Sequence, residues 1–457
     1  MDSNNKKVFK MQDHIPNGWK YQSLYDLAEY INGKAFKQSE LSDKGLPVIK
    51  IAELHNGITT STKYYNGKIE DWFYLKGGEL LFAWSGSVGV FVWKDGPAVL
   101  NQHIFKVNAK TGVDQRFLRY LLEYHMPIFK LLVKDKATTM GHVRIEDLKN
   151  IEAAVPPLQE QHKIAEILGS LDDKIELNYE MNKTLEAIAR AVFKNWFVDF
   201  EPFEDELAYN EELGEEIPRG WEVAMIGDFV NVEKGVSYKS ENLKARSDVG
   251  LVNLKCIAPG GGFRNEVKPY SGKFEPRHIL RRGDIVVAIT DLTQNREVIG
   301  MPARIYPVEP FKILIPSLDL VVLRIKDEKT LKQSFLYYLL LTPRYKDYVN
   351  GCASGTTVRH LKPTDILNFK FALPPDEWIA KFAEIADNIF DLLVHNFMEI
   401  RVLEEIRDTL LPRLLSGEIR VKVDVEKEFP VETKKLEEIK EEKAKIQVSL
   451  EKWLKDG

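Results

Sequence analysis

Cysteine is nearly absent: the 457 residues hold only Cys256 and Cys352. Two thiols cannot build a disulfide framework, and without a CxxC pair or a nearby histidine cluster they offer no zinc site. Long apolar runs are missing too, since no stretch approaches the roughly 18 residues a membrane helix needs. The opening MDSNNKKVFKMQDHIPNG is polar where a signal peptide would be hydrophobic. A cytoplasmic chain with no membrane segment is therefore expected. Catalytic signatures are equally scarce. No GxxxxGK[ST] phosphate loop occurs. Neither Pro-Pro pair, Ala154-Val155-Pro156-Pro157 or Ala372-Leu373-Pro374-Pro375, carries the polar residue that precedes such a pair in amino-methyltransferases. Glu266-Val267-Lys268 has the form of a nuclease ExK tail, but no suitable aspartate strand precedes it. His142 and His360 lack the cysteines or carboxylates that would make them metal ligands or general bases. Neither a catalytic nor a metal-ligating residue is assigned.

What the chain has is length, an ordinary composition and a sorted charge. At about 150 residues per domain its length suggests about three domains, and 44% hydrophobic with 29% charged residues is a globular mixture. The net charge of -5 argues at first against a polyanionic partner. The average conceals segregation. Residues 1–157 carry 21 Lys and Arg against 17 Asp and Glu, and residues 217–375 carry 24 against 16. Residues 158–200 net -3, 201–216 net -8 and 376–457 net -6. Two basic modules separated by acidic segments can each meet a polyanion.

The same division exposes an internal duplication. Ile15-Pro16-Asn17-Gly18-Trp19 recurs as Ile217-Pro218-Arg219-Gly220-Trp221, and Leu75-Lys76-Gly77-Gly78-Glu79-Leu80 as Leu280-Arg281-Arg282-Gly283-Asp284-Ile285. A shift of 218 then pairs His142 with His360, Asp147 with Asp365, and Pro156-Pro157 with Pro374-Pro375. Apolar, β-branched runs at 46–51, 79–84, 104–107, 285–289 and 320–325 predict strands, and 116–133 and 331–349 predict one helix in each copy. Each module is expected to be a self-contained, mixed α/β domain.

After each Pro-Pro pair the pattern changes to a heptad seam. Ile164, Leu168, Leu171 and Ile175 lead through Asn178 and Asn182 to Trp196, and the stripe recurs from Phe382 through Asn396 to Leu414. Two long helices pairing antiparallel as a coiled coil are predicted, with the modules at opposite ends related by a pseudo-twofold. Asn178 and Asn396 occupy the same seam position in the two copies, where a buried asparagine acts as a register device. The predicted divisions are a module over 1–157, a helix over 158–200, an acidic linker over 201–216, a module over 217–375, a helix over 376–420 and a charged, helical tail over 421–457. That tail is either solvated or docked against the helix pair or a partner.

Recognition chemistry gathers in loops. Thr138, Thr139, His142 and Arg144 in the first copy answer to Thr356, Thr357, Arg359, His360 and Lys362 in the second. Hydroxyls can bond to phosphates or base edges, and Arg and Lys can neutralise phosphate or read guanine. Ser85 and Ser87, with Asn295 and Arg296 in the polar insert 290–296, follow corresponding strands and join the candidates for DNA contact.

In this order, several segments resemble the specificity (S) subunit of type I restriction-modification systems over residues 15–420. The carriers are Leu75–Gly89, Val155-Pro156-Pro157-Leu158-Gln159-Glu160-Gln161, Ala191–Pro202 and Leu410–Ile419. The resemblance implies two target recognition domains, each reading half of a split double-stranded DNA site, held apart by the helix pair. It also implies two modification subunits that bind S-adenosylmethionine and methylate adenine, and restriction subunits that use ATP and Mg, with no cofactor or catalysis on this chain. The second copy departs from the family in Pro375-Asp376-Glu377-Trp378 and in the segment from Thr290 to Val298. A stand-alone nuclease or methyltransferase, or a coiled-coil scaffold indifferent to DNA, are the competing classes.

Overall fold

The computed structural model describes residues 9–12, 14–135, 141–291, 297–355, 358–421 and 430–456. The chain forms two compact units, Met1–Leu177 with Glu399–Glu438, and Asn178–Met398 with Ile439–Gly457. Both are mixed α/β.

In the first unit a four-stranded antiparallel sheet runs in the order Ala28–Asn32, Ile104–Ala109, Leu80–Ala83, Gly89–Val92. Leu80–Ala83 is apolar on both faces because both faces are covered; all four residues are buried. A second sheet pairs Leu46–Ile49 parallel with Ala98–Leu100 and antiparallel with Tyr64–Tyr65. The second unit repeats the topology. Its four-stranded sheet runs Val230–Lys234, Leu320–Ile325, Ile285–Ala288, Pro302–Arg304, and Val249–Val252 pairs parallel with Ile313–Pro316 and antiparallel with Lys268–Tyr270.

Several predicted elements end or break earlier than periodicity suggests. The run 46–51 stops as a strand at Ile49, because Ile51–Asn56 is a helix whose Glu53 carboxylate accepts from the Lys50 N–H. The single helix expected over 331–349 is two, Gln333–Leu339 and Pro343–Cys352. Pro343 cannot continue a helix but suits the first turn of a new one, which the Thr342 hydroxyl caps by accepting from the Tyr345 N–H. In the first copy Gln115–Tyr124 and Met126–Asp135 are separated at His125. The acidic stretch 201–216 is folded rather than a plain linker: Leu207–Asn210 pairs antiparallel with Glu215–Pro218, beside a small core of Phe200, Ile217 and Trp221.

The long helices are Leu158–Phe197 and Asp376–Leu415, 40 residues each, so each spans roughly 60 Å. Within the first unit, Asp172 bonds to Arg407 and Lys174 pairs with Glu399, an antiparallel register. Within the second, Asn182 meets Asn396 and Phe193 packs on Phe382 in the same sense. Ile164, Leu168, Ile406 and Leu410 belong to one core with Leu80 and Phe82 of the sheet. Phe193, Phe382 and Ala386 likewise join Ile285 and Leu323. The modules are thus not self-contained, since their sheets and helices close on the long helices through a shared apolar core. The C-terminal helix Pro430–Asp456 is docked rather than wholly solvated: Ile439 is buried, and the Glu442 carboxylate meets the His395 ring on the second long helix.

Asn178 and Asn396 are both fully buried, yet their partners differ. Asn396 donates through Nδ2 to Asn182 Oδ1 at 2.7 Å, whereas neither amide atom of Asn178 has a hydrogen-bond partner. An unpaired buried amide costs about 1 to 3 kcal/mol. Asn178→Leu should therefore raise the melting temperature, whereas Asn396→Leu strands the Asn182 carbonyl and should lower stability by about 1 to 3 kcal/mol; thermal denaturation of both variants checks the opposite signs.

His125 is buried, with Nδ1 bonded to the Leu121 carbonyl at 2.7 Å and Nε2 unpartnered. Burial pushes its imidazole down to about 4, against the backbone bond that favours the charged form. Because the unfolded chain then binds more protons between that value and the ordinary 6.5, stability is present above pH 6.5 and falls as pH drops toward 4. Between pH 7 and 5 the loss should be roughly 2 kcal/mol. Denaturant titrations of His125→Phe should show that part of the acid dependence removed.

Candidate nucleic-acid interface

In each unit four separated segments converge by backbone bonds. The end of the first sheet strand comes against a tight turn: the Gly33 N–H donates to the Ile104 carbonyl and the Gln102 N–H to the Lys34 carbonyl. Gly235 to Leu320 and Leu318 to Val236 repeat both bonds. Glycine is required at both positions. A Cβ on Gly33 would lie 2.2 Å from the Asn101 carbonyl oxygen, and one on Gly235 2.0 Å from that of Ser317.

The residues following the central strand then meet the histidine loop. Ser85 is bridged antiparallel to His142, and the Val143 N–H donates to the Trp84 carbonyl at 2.8 Å. In the second unit Thr290 pairs with His360, and the Leu361 N–H donates to the Ile289 carbonyl at 2.9 Å. Thr290 therefore takes the place of Ser85 although the local sequences differ. A short helix follows each loop, Ile145–Asn150 and Pro363–Leu367. Its Asp147 or Asp365 carboxylate accepts from the backbone N–H of Arg144 or Lys362. The backbone of a cationic residue is thus held at the same place twice, and both side chains are exposed.

The candidate residues fare differently. Ser85 is buried and takes part in the pairing itself, so its value is structural, while Ser87 is exposed. His360 is exposed, and His142 is half-buried with its ring 5.8 Å from that of Trp84. Arg359 commits Nη1 to the Ala353 carbonyl at 2.9 Å and so braces its own loop. Thr138, Thr139, Asn295, Arg296, Thr356 and Thr357 lie outside the described residues. Sequence reasoning missed the segments at Gly33 and Gly235 and the turns at 101–104 and 317–320. The recurrence of Gly33 as Gly235 at the shift of 202 was the available signal. Among the described residues no group of three or more His, Cys, Asp or Glu side chains is placed to hold a metal, and no helix is long and apolar enough to cross a membrane.

The sequence profile of the type I restriction modification DNA specificity domain matches residues 16–187 and again 218–399. The chain belongs to this family of type I specificity proteins. Among similar members, the type I restriction enzyme MjaIX specificity subunit of Methanocaldococcus jannaschii is 30% identical over 426 residues, covering 89% of this chain and 95% of that protein. The HindI specificity subunit of Haemophilus influenzae is 29% identical over 345 residues, 64% of this chain and 74% of that one. The crystal structure of the S subunit from M. genitalium shares the fold, with a TM-score of 0.53 at 18% identity over 89% of this chain and 98% of that one. The two profile matches fall on the two copies, so the duplication in this chain is the family's own repeated specificity domain.

If Arg144 and Lys362 each neutralise a phosphate, replacing either by Ala should weaken binding to all DNA sequences and flatten the slope of log K against log salt by about one. DNA titrations of the assembled complex at several salt concentrations measure this, and an unchanged slope and affinity would remove that residue from the interface.

Proposed function

We propose that this chain is the DNA-reading subunit of a type I restriction-modification complex, recognising a bipartite double-stranded target. Residues 1–157 read one half and 217–375 the other. The observation that carries this reading is the frame itself: the same backbone bonds recur in both copies while the side chains they present differ, for instance exposed Asn32 in the first against exposed Lys234 in the second. One frame with two faces suits two unlike half-sites.

The chain is inert by itself in this reading and works in the cytoplasm. Two modification subunits supply S-adenosylmethionine chemistry on adenine, and restriction subunits supply ATP- and Mg-dependent cleavage. The bond from Asn396 to Asn182 supports a register role for Asn396, since a shift of the helices would break it. No membrane takes part.

Exchanging residues 1–157 for the corresponding module of a relative should change one half of the methylated motif and leave the other intact. Methylome sequencing of a host carrying the complete system reads both halves, and a change in both would overturn the modular assignment. The purified chain should neither methylate DNA with S-adenosylmethionine nor cleave it with Mg, as a stand-alone enzyme would.

A further inference from the structure

The converging segments carry side chains at equivalent places that no loop motif marks. In the first copy the Trp84 indole N–H donates to Asn32 Oδ1 at 3.1 Å, and the Trp84 ring lies 5.5 Å from His103. Gln102, on the tight turn, has its Nε2 3.5 Å from His103 Nε2 and its backbone tied to Lys34. Asn32 and His103 are exposed and Gln102 half-buried. These positions hold carboxamides and an imidazole, with no carboxylate. The backbone bonds set the equivalences in the second copy: Lys234 stands for Asn32, Leu318 for Gln102 and Asp319 for His103. There Asp319 Oδ1 accepts from the Thr290 hydroxyl at 2.9 Å, which leaves its other carboxylate oxygen as an acceptor, and Lys234 is exposed.

The chemistry of the two sets is complementary to different base pairs. A carboxamide offers a donor and an acceptor side by side and matches N6 and N7 of adenine; a carboxylate accepts from N4 of cytosine, and an ammonium donates to O6 and N7 of guanine. The indole N–H holds Asn32 Oδ1 and ties the direction of that carboxamide to Trp84, which leaves Gln102 as the two-sided reader in the first copy. We propose that Gln102 reads an adenine in one half-site and that Asp319, with Lys234 beside it in the frame, reads a cytosine–guanine pair in the other. Rigidity favours this assignment. The turns bearing Gln102 and Asp319 are pressed against glycines that admit no Cβ, so a reading side chain there starts from a fixed backbone.

This assignment rests on the reading of the chain as a DNA-recognition subunit. The test is methylome sequencing of a host carrying the complete wild-type system, Gln102→Ala, Gln102→Glu or Asp319→Asn. Gln102→Ala should relax discrimination at one adenine by roughly ten- to a hundredfold and leave the other half-site unchanged. Gln102→Glu, which can only accept, should move that same position toward cytosine, and Asp319→Asn should move a cytosine in the opposite half toward adenine. A merely structural role would lower activity without changing the preferred base. A wild-type bipartite motif that persists with unaltered preference in all three variants overturns the assignment alone. A wild-type system with no bipartite motif overturns the DNA-recognition reading and the assignment with it.

Discussion

Burial of the long-helix seam is the constraint on which the rest depends. Each helix carries more apolar surface than one partner helix can cover. On the second, Val394, Val402 and Ile406 are buried beside the predicted seam residues. The surplus face is covered by the module in the same unit, so sheet, short helices and long-helix halves share one core in each. A module cut from its helices would expose that face to water, which the hydrophobic effect penalises in proportion to area.

The two copies complete this packing with different chemistry. In the first, the Asp172 carboxylate accepts from the Tyr120 hydroxyl at 2.7 Å and pairs with Arg119 at 2.9 Å and Arg407 at 3.0 Å. Three donors on one carboxylate offset its desolvation. At the positions 218 residues later stand Tyr337, Tyr338 and Phe390 in place of Arg119, Tyr120 and Asp172, and Tyr338 packs edge-on against Phe382 with ring centroids 5.4 Å apart. The charged hub of one copy is replaced by aromatic packing in the other while the helix pairing is kept. The interface segments follow the same rule: their backbone bonds repeat almost one for one, while exposed side chains such as Asn32 and Lys234 diverge.

Much of the architecture was legible because it rests on periodicity and repetition. The step of 218 from Phe117 to Phe335, the heptad from Ile164 to Trp196 and the Pro-Pro boundaries are local patterns that need no knowledge of contacts. Boundaries were less legible, because single residues decide them: Pro343 starts a new helix within one apolar run, and Glu53 turns the end of a strand run into a helix. The hairpin of Leu207–Asn210 with Glu215–Pro218 escaped a reading by charge, since its pairing depends on Phe200, Ile217 and Trp221 packing beneath it.

The candidate site divides along the same line. Sequence alone determined that the chain is duplicated, that a long helix follows each copy, and that His142 and His360, with Arg144 and Lys362, occupy matching loops. Side-chain type and spacing are enough for that, because a duplication preserves both. Only the tertiary structure decided that Ser85 is buried against His142, that Thr290 inherits its place, and that Gln102 and Asp319 stand beside them. Those neighbours lie tens of residues apart in the chain, and the backbone hydrogen bonds that join them are made by groups every residue shares, so no residue type announces them in advance.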